Sequence, residues 1–301
     1  MRKLSFRRKS SKTDVPMEVE GGIIIAKENI LRLGAASVEG TSHANEDRVY
    51  QLSDLRLIPS QIPVGFVDKI SFVSVFDGHG GGKCSQYLSE NLYLKAITNP
   101  GFESFSNAQT VLLDAFKSCD DEWNEIAEKN DEFSGSCAIA SLIWGQDVVI
   151  AHAGDCRAVA RMGKKTFQLT KDHRPSDPAE KARIYAAGGF IKNGRVMGAL
   201  APSRGFGDLD VKRKAPSPDV VISEPDITTL RMESSSKGNP SFIVFATDGI
   251  WDCMPPERAC DVVAKSLAKH NDEEAAAAKL CQVAAELNSD DCSAVVVVFP
   301  V

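Results

Sequence analysis

Six short runs dominated by Val, Ile, Ala and Phe recur along the chain: Ile70 to Phe76, Cys137 to Ile143, Val148 to Ala153, Cys156 to Ala160, Ser241 to Ala246 and Ser293 to Phe299. Runs of this length, rich in β-branched residues and bounded by Gly, Asp and Asn, predict buried strands. Between them the period changes. Leu112, Phe116, Cys119, Trp123 and Ile126 recur at alternating spacings of four and three, which predicts a helix with one apolar stripe against a sheet. Asp177-Pro178-Ala179-Glu180 reads as an N-cap, a first-turn proline and a capping-box Glu ahead of a helix to Ala187, and Asp272-Glu273-Glu274 opens an Ala-rich helix to Leu287. Helices interleave with strands without strict alternation. Residues 1–22 lack this periodicity and predict a mobile basic tail, followed by one domain over 23–301 that no long linker divides.

Composition narrows the class. Hydrophobic residues at 43% and charged residues at 25% of 301 are ordinary for a folded globular chain and exclude a disordered, collagenous or coiled-coil protein. The longest apolar stretch, Ala294 to Phe299, is far short of the roughly 20 residues of a membrane span, so no transmembrane segment is expected. The net charge is -6, yet Arg2, Lys3, Arg7, Arg8, Lys9 and Lys12 contribute six positive charges, which leaves about -12 for the rest. So acidic a body is not expected to bind nucleic acid, which needs clustered cations, and suits metal ions instead. Eight cysteines are scattered without a CxxC pair and no apolar leader precedes them, so the chain is expected inside the cell, in cytoplasm, nucleus or both. Each cysteine reads as a small buried hydrophobe, and zinc is disfavoured because no Cys or His pair has ligand spacing.

Four acids flank the predicted strands: Asp77 after SFVSVF, Asp155 after VIAHAG, Asp248 after FIVFAT and Asp291 before SAVVVVF. One Asp at a strand end is ordinarily a turn or cap residue. Four whose strands lie side by side would converge and repel unless cations neutralise them, and oxygen donors at that density suit Mg²⁺ or Mn²⁺. Gly78 and Gly249 follow two of these acids, which lets the backbone approach an ion closely. The run Gly78-His79-Gly80-Gly81-Gly82 lacks the spacing of a nucleotide-binding loop, and spacing alone leaves His79 open as ligand, acid or loop residue. Arg204 and Asp208 read as a buried structural pair, His152 and His173 as structural or exposed, and the three tryptophans as packing residues.

Taken in order, Glu46-Asp47, SVFDGHGG from Ser74, SGSCA from Ser134, AGDCRAV from Ala153, DHRPSDPAEKARIYAAGG from Asp172, GALAPSRGFGD from Gly198, FATDGIWD from Phe245 and DCS from Asp291 resemble the motif set of the metal-dependent serine/threonine protein phosphatases of type 2C. The resemblance implies an α+β fold of two packed antiparallel β-sheets flanked by helices, with two Mn²⁺ or Mg²⁺ ions at one end. By position Asp77 would bridge the ions, the Gly78 carbonyl would bind one, and Asp248 and Asp291 the other. Glu46 and Asp47 would contact metal-bound water, Asp155 with Asp248 would form a weaker third-metal site, and His79 would be the general acid. The implied activity is hydrolysis of phosphoserine and phosphothreonine in proteins by a metal-bound hydroxide.

Three positions depart from that pattern. Ser42 stands where the family carries a phosphate-binding Arg, Cys292 and Met197 where it carries Asn, so the substrate-binding group is left unassigned. These departures motivate an alternative, a weakly active or inactive pseudophosphatase that binds and regulates. Arg7-Arg8-Lys9 ahead of Ser10 and Ser11 suggests that a basic-directed kinase acts there.

Overall fold

The computed structural model describes residues 17–20, 23–26, 31–57, 69–102, 104–236 and 238–300. They fall into two units, Met1–Ile30 and Leu31–Val301. In the first, β1 (Met17–Glu20) pairs antiparallel with β2 (Ile23–Ala26). Most of the expected tail, including Ser10 and Ser11, lies outside the described residues.

The second unit runs through β3 (Arg32–Val38), β4 (Arg48–Leu52), β5 (Ile70–His79), α1 (Lys83–Ile97), α2 (Ala108–Asn130), β6 (Gly135–Trp144), β7 (Asp147–Ala153), β8 (Arg157–Met162), β9 (Lys165–Gln168) and α3 (Pro178–Ala186). A hairpin of β10 (Ile191–Lys192) and β11 (Arg195–Val196) follows, then β12 (Phe206–Gly207), α4 (Leu209–Lys214), β13 (Asp226–Arg231), β14 (Phe242–Ala246), α5 (Asp248–Trp251), α6 (Pro256–His270), α7 (Glu273–Ala285) and β15 (Cys292–Val298).

Two sheets result, one ordered β13-β7-β6-β5-β4 with β12 on β6, the other β3-β15-β14-β8-β9. Their ladders are antiparallel. Strand alternation sorts the side chains into layers. Val73, Val75, Ile139, Ile243, Phe245, Val295 and Val297 share the cluster between the sheets. Their neighbours Phe72, Phe76, Ala138 and Leu142 face the other way, onto Leu88 and Leu92 of α1 and Leu112 and Phe116 of α2. On the second sheet Phe242, Val244 and Val296 turn outward onto Val263 of α6 and Leu280 of α7. At about 1.5–3 kcal/mol for each fully buried large apolar side chain, these layers, and not the polar end, hold the fold. The order helix, sheet, sheet, helix is the α+β sandwich that the resemblance implied.

The six predicted runs lie on β5, β6, β7, β8, β14 and β15. The predicted stripe of α2 is buried at Leu112, Phe116, Cys119 and Trp123. Asp177 caps α3 as expected, its Oδ1 accepting from the Ala179 and Glu180 amides. Glu180 does not complete a capping box. The Asp177 amide bonds the Arg174 carbonyl instead, and the Glu180 carboxylate turns to Arg204, Arg183 and Ser203.

Between β9 and β13 the chain returns to the sheets only at β12 and builds a lobe with its own small core of Ile184, Val196, Leu200, Val211, Val220 and Val221. It projects the β10–β11 hairpin, turned at Asn193-Gly194, toward the polar end of the sandwich.

Candidate metal centre and active site

Both sheets deliver acids to one end. Asp77 lies near the end of β5, Asp155 just past β7, and Asp248 just past β14 at the start of α5. One carboxylate oxygen of each lies within 4.8 Å of the others. The acids do not come from neighbouring strands, as the sequence pattern suggested. Asp77 and Asp155 belong to one sheet with β6 between them, and Asp248 arrives from the other. Cys137 of β6 stands opposite Asp77 in register and its thiol donates to Asp155 Oδ1 at 3.2 Å. Burial pushes that thiol well above its ordinary pKa, so it remains a protonated donor.

The cluster is electrostatically frustrated. Burial, then the charges of Asp248, Asp47 and Asp155, hold the Asp77 carboxyl well above the usual range. Burial and the charge of Asp155 push Asp248 up to about 7. Burial raises Asp155 despite Arg174 beside it, and takes Asp47 up to about 7. Burial and mutual repulsion thus disfavour the charged forms of these acids, a cost that a bound cation would offset. Asp155 Oδ2 is buried without a hydrogen-bond partner. An orphaned oxygen among crowded hard donors fits Mg²⁺ or Mn²⁺.

Asp291 stands outside the group of three. Its Oδ1 accepts from the Gly40 amide and its Oδ2 from the Glu46 amide, both at 2.8 Å, so it braces the loop that carries Glu46. Asp47 Oδ2 accepts from Thr247 Oγ1 at 3.0 Å, and that hydroxyl accepts from the Ser293 amide, which ties both sheets together beside Asp248. The Glu46 carbonyl accepts from Ser85 Oγ at 2.5 Å and lies 2.3 Å from where a Cβ on residue 78 would sit. Gly78 therefore has to be glycine for the β4 and β5 ends to close.

His79 Nε2 lies 2.9 Å from Asp208 Oδ1. A Cβ on residue 135 would fall 2.4 Å from that nitrogen, so Gly135 makes room for the pair. Burial lowers the imidazole pKa, but the charge and hydrogen bond of Asp208 outweigh it and leave His79 above its ordinary value. This corrects the expected pairing of Arg204 with Asp208: Arg204 bonds Glu180 and Asp226. His152 and His173 are buried and stacked on each other, rings 4.5 Å apart.

Glu46, Asp77, His79, Asp155, Asp208 and Asp248 line a cleft of about 720 Å³, walled also by His43, Phe133, Leu200 and Pro202. Among its lining residues Arg195 is the one arginine. It sits on β11 directly opposite Lys192, its Nη1 donates to the Ala199 carbonyl, and neither cation has an ion-pair partner among the described residues.

With that geometry in place, the comparison with known families is decisive: the model of the protein phosphatase 2C family matches residues 32–293. The chain belongs to the protein phosphatase 2C family. Its members are serine/threonine protein phosphatases, and metal dependence is general among them. Protein phosphatase 2C homolog 2 of Hypocrea jecorina is 35% identical over 218 residues, 71% of this chain and 48% of its own, so the chain spans about half of that relative. Protein phosphatase 1A of Bos taurus is 33% identical over 289 residues, 90% of this chain and 72% of its own. Serine-threonine phosphatase 2C from Toxoplasma gondii shares the fold at a TM-score of 0.73 with 21% identity, covering 90% of this chain and 95% of that one.

The departures from the type 2C pattern acquire physical content. Met197 holds a backbone φ of 51°, a left-handed position that Asn adopts more readily than Met. Ser42 is exposed and its hydroxyl bonds the Ser289 carbonyl at 3.4 Å. Cys292 is buried against the Gly249 carbonyl. Arg174, Arg195 and Asp252 carry no role in the sequence reading, and Asp208 carries only the structural one corrected above. Arg174, Asp208 and Asp252 fall within the quoted type 2C segments and their partners are distant along the chain, whereas Arg195 lies between two of those segments.

Proposed function

We propose that this chain hydrolyses phosphoserine and phosphothreonine in proteins, with two Mn²⁺ or Mg²⁺ ions as cofactors and a weaker third position at Asp155. The observation that carries this reading is the convergence of Asp77, Asp155 and Asp248 within 4.8 Å, at a cleft that also presents the His79–Asp208 pair. Asp77, Asp248, Asp155 and the Gly78 carbonyl would hold the ions. Asp291, Glu46 and Asp47 complete the set on this reading, supported by the bonds of Asp291 to the Glu46 loop and by its charge acting on Asp47.

Bound divalent ions would supply Lewis acidity, lowering the pKa of water and offsetting phosphate charge. The chain's own groups do the rest. Asp208 holds His79 through Nε2, which leaves Nδ1 to protonate the departing seryl or threonyl oxygen. Arg195 and its neighbour Lys192 orient the phosphate, taking the part of the arginine missing at Ser42. An open cleft walled by Phe133 and the hairpin suits a phosphorylated segment of a protein substrate. Eight free thiols suit an intracellular setting.

The test compares a phosphothreonine peptide with a small aryl phosphate, each with Mn²⁺ and with chelator. Phosphate release from the peptide that requires Mn²⁺ is expected. Turnover of the aryl phosphate alone would identify a small-ester hydrolase, and Mn²⁺ binding without any turnover would identify a binding module.

A further inference from the structure

Arg174, between β9 and α3, reaches the acidic cluster from the lobe. Its Nη2 lies 3.2 Å from Asp155 Oδ2 and 3.6 Å from Asp248 Oδ2, two of the three converging carboxylates. The hydrogen bond of that nitrogen goes elsewhere, to Asp252 Oδ1 at 2.9 Å, and Nε stands 3.8 Å from Asp172. The side chain of Asp252 is 57% exposed and that of Asp155 only 3%. The guanidinium is therefore anchored on the solvent side and faces the inner acids at ion-pair distance, while Asp155 Oδ2 stays without a hydrogen bond. It offsets their charge without engaging Asp155 Oδ2 in a hydrogen bond. A guanidinium cannot shed its charge at physiological pH, so a cation entering between Asp155 and Asp248 meets a fixed positive charge a few ångströms away.

We propose that Arg174 is a tethered counter-cation. It balances Asp155 and Asp248 in the metal-free protein, competes with a divalent ion for the same oxygens, and so sets the affinity of the metal position nearest to it. The inference rests on the metal reading of the cluster and adds to it a residue that makes binding there weaker than the carboxylates alone would. Asp252 takes a part as well, holding the arginine at the edge and keeping it from settling onto Asp155. Two consequences oppose each other in sign. Neutralising Arg174 destabilises the metal-free protein, because the acids lose their counter-charge, and strengthens metal binding, because the competitor is gone.

The experiment titrates full-length, chelator-stripped protein with Mn²⁺ alone by calorimetry and records the melting temperature at each Mn²⁺ concentration, for wild type, Arg174→Gln and Arg174→Lys. In Arg174→Gln the weakest Mn²⁺ event is expected to tighten about tenfold, an ordinary size for coupling between two ligands of one site. The metal-free melting temperature is expected to fall and the gain on Mn²⁺ addition to grow. Arg174→Lys keeps the charge and is expected to stay near wild type. Unchanged or weaker Mn²⁺ binding by Arg174→Gln overturns the proposal. Failure of that variant to fold even in saturating Mn²⁺ also overturns it, since the ion should replace the lost charge. If wild type itself binds no Mn²⁺, the metal reading falls and takes this inference with it.

Discussion

One buried carboxylate, Glu180, organises part of the link between the sandwich and the lobe that carries Arg174 and Arg195, and removing its charge has a calculable cost. Glu180 Oε1 accepts from Arg204 Nε at 3.0 Å and Nη2 at 2.7 Å, and Oε2 from Arg183 Nη2 at 2.9 Å and Ser203 Oγ at 2.7 Å. Arg204 continues to Asp226 on β13 at 3.0 Å, so the network links α3 to the sheet. Burial raises the Glu180 pKa, but the bonds from Arg204, Arg183 and Ser203 outweigh it and bring it from 4.5 to about 2. At 1.36 kcal/mol per unit that difference corresponds to about 3 kcal/mol, comparable to the loss from breaking one side of a buried ion pair. For a domain of this size Glu180→Gln should lower Tm by roughly 6–12 °C at pH 7. The folded-state pKa is depressed, so the stabilisation is fully present above the unfolded value of 4.5 and is lost as pH falls toward 2. Thermal melts of both proteins by circular dichroism from pH 7 to pH 3 should show a gap that is constant above about pH 6 and narrows below 5. A loss under about 1 kcal/mol at pH 7, or a gap undiminished at pH 3, would refute the reasoning.

Three further outcomes bear on the cleft. His79→Gln should lower kcat on a phosphopeptide by about 10²- to 10⁴-fold and on an aryl phosphate far less, since that leaving group needs no proton; equal losses would remove His79 as the acid. Arg195→Ala should raise KM for the phosphopeptide with little change in kcat, and a fall in kcat alone would contradict its orienting role. Ser42→Arg should lower KM through an added charge-assisted bond worth about 1.5–3 kcal/mol at most; an unchanged KM would mean that Arg195 and Lys192 already satisfy the phosphate.

The sandwich was legible in sequence where both faces of a strand are buried. β5, β6, β14 and β15 read as near-continuous apolar runs because each is covered by the other sheet and by helices. β13, with Asp226, Leu230 and Arg231, was missed because it is an edge strand with one partner and mixed exposure. The same holds for β4, whose residues are all half-buried. The acids Asp77, Asp155 and Asp248 stood out because a charged residue directly beside a buried strand needs an explanation. Their neighbours did not. His79 and Asp208 are 129 residues apart, and Arg174 meets Asp252 across 78. No local period encodes such meetings, which exist only once the lobe docks onto the sandwich. Glu180 shows the converse error: local chemistry pointed to a cap, and two arginines offered its carboxylate a stronger partner.

The central claim is that the converging carboxylates hold the ions on which hydrolysis depends. Single-turnover phosphate release from a phosphothreonine peptide, measured with and without Mn²⁺ for wild type and Asp77→Asn, tests it most directly. Wild type should release phosphate only with Mn²⁺, and Asp77→Asn, folded by circular dichroism, should lose at least about 10³-fold at any Mn²⁺ concentration. Asp77→Asn turnover near the wild-type rate, or wild-type turnover undiminished in chelator, would contradict the account.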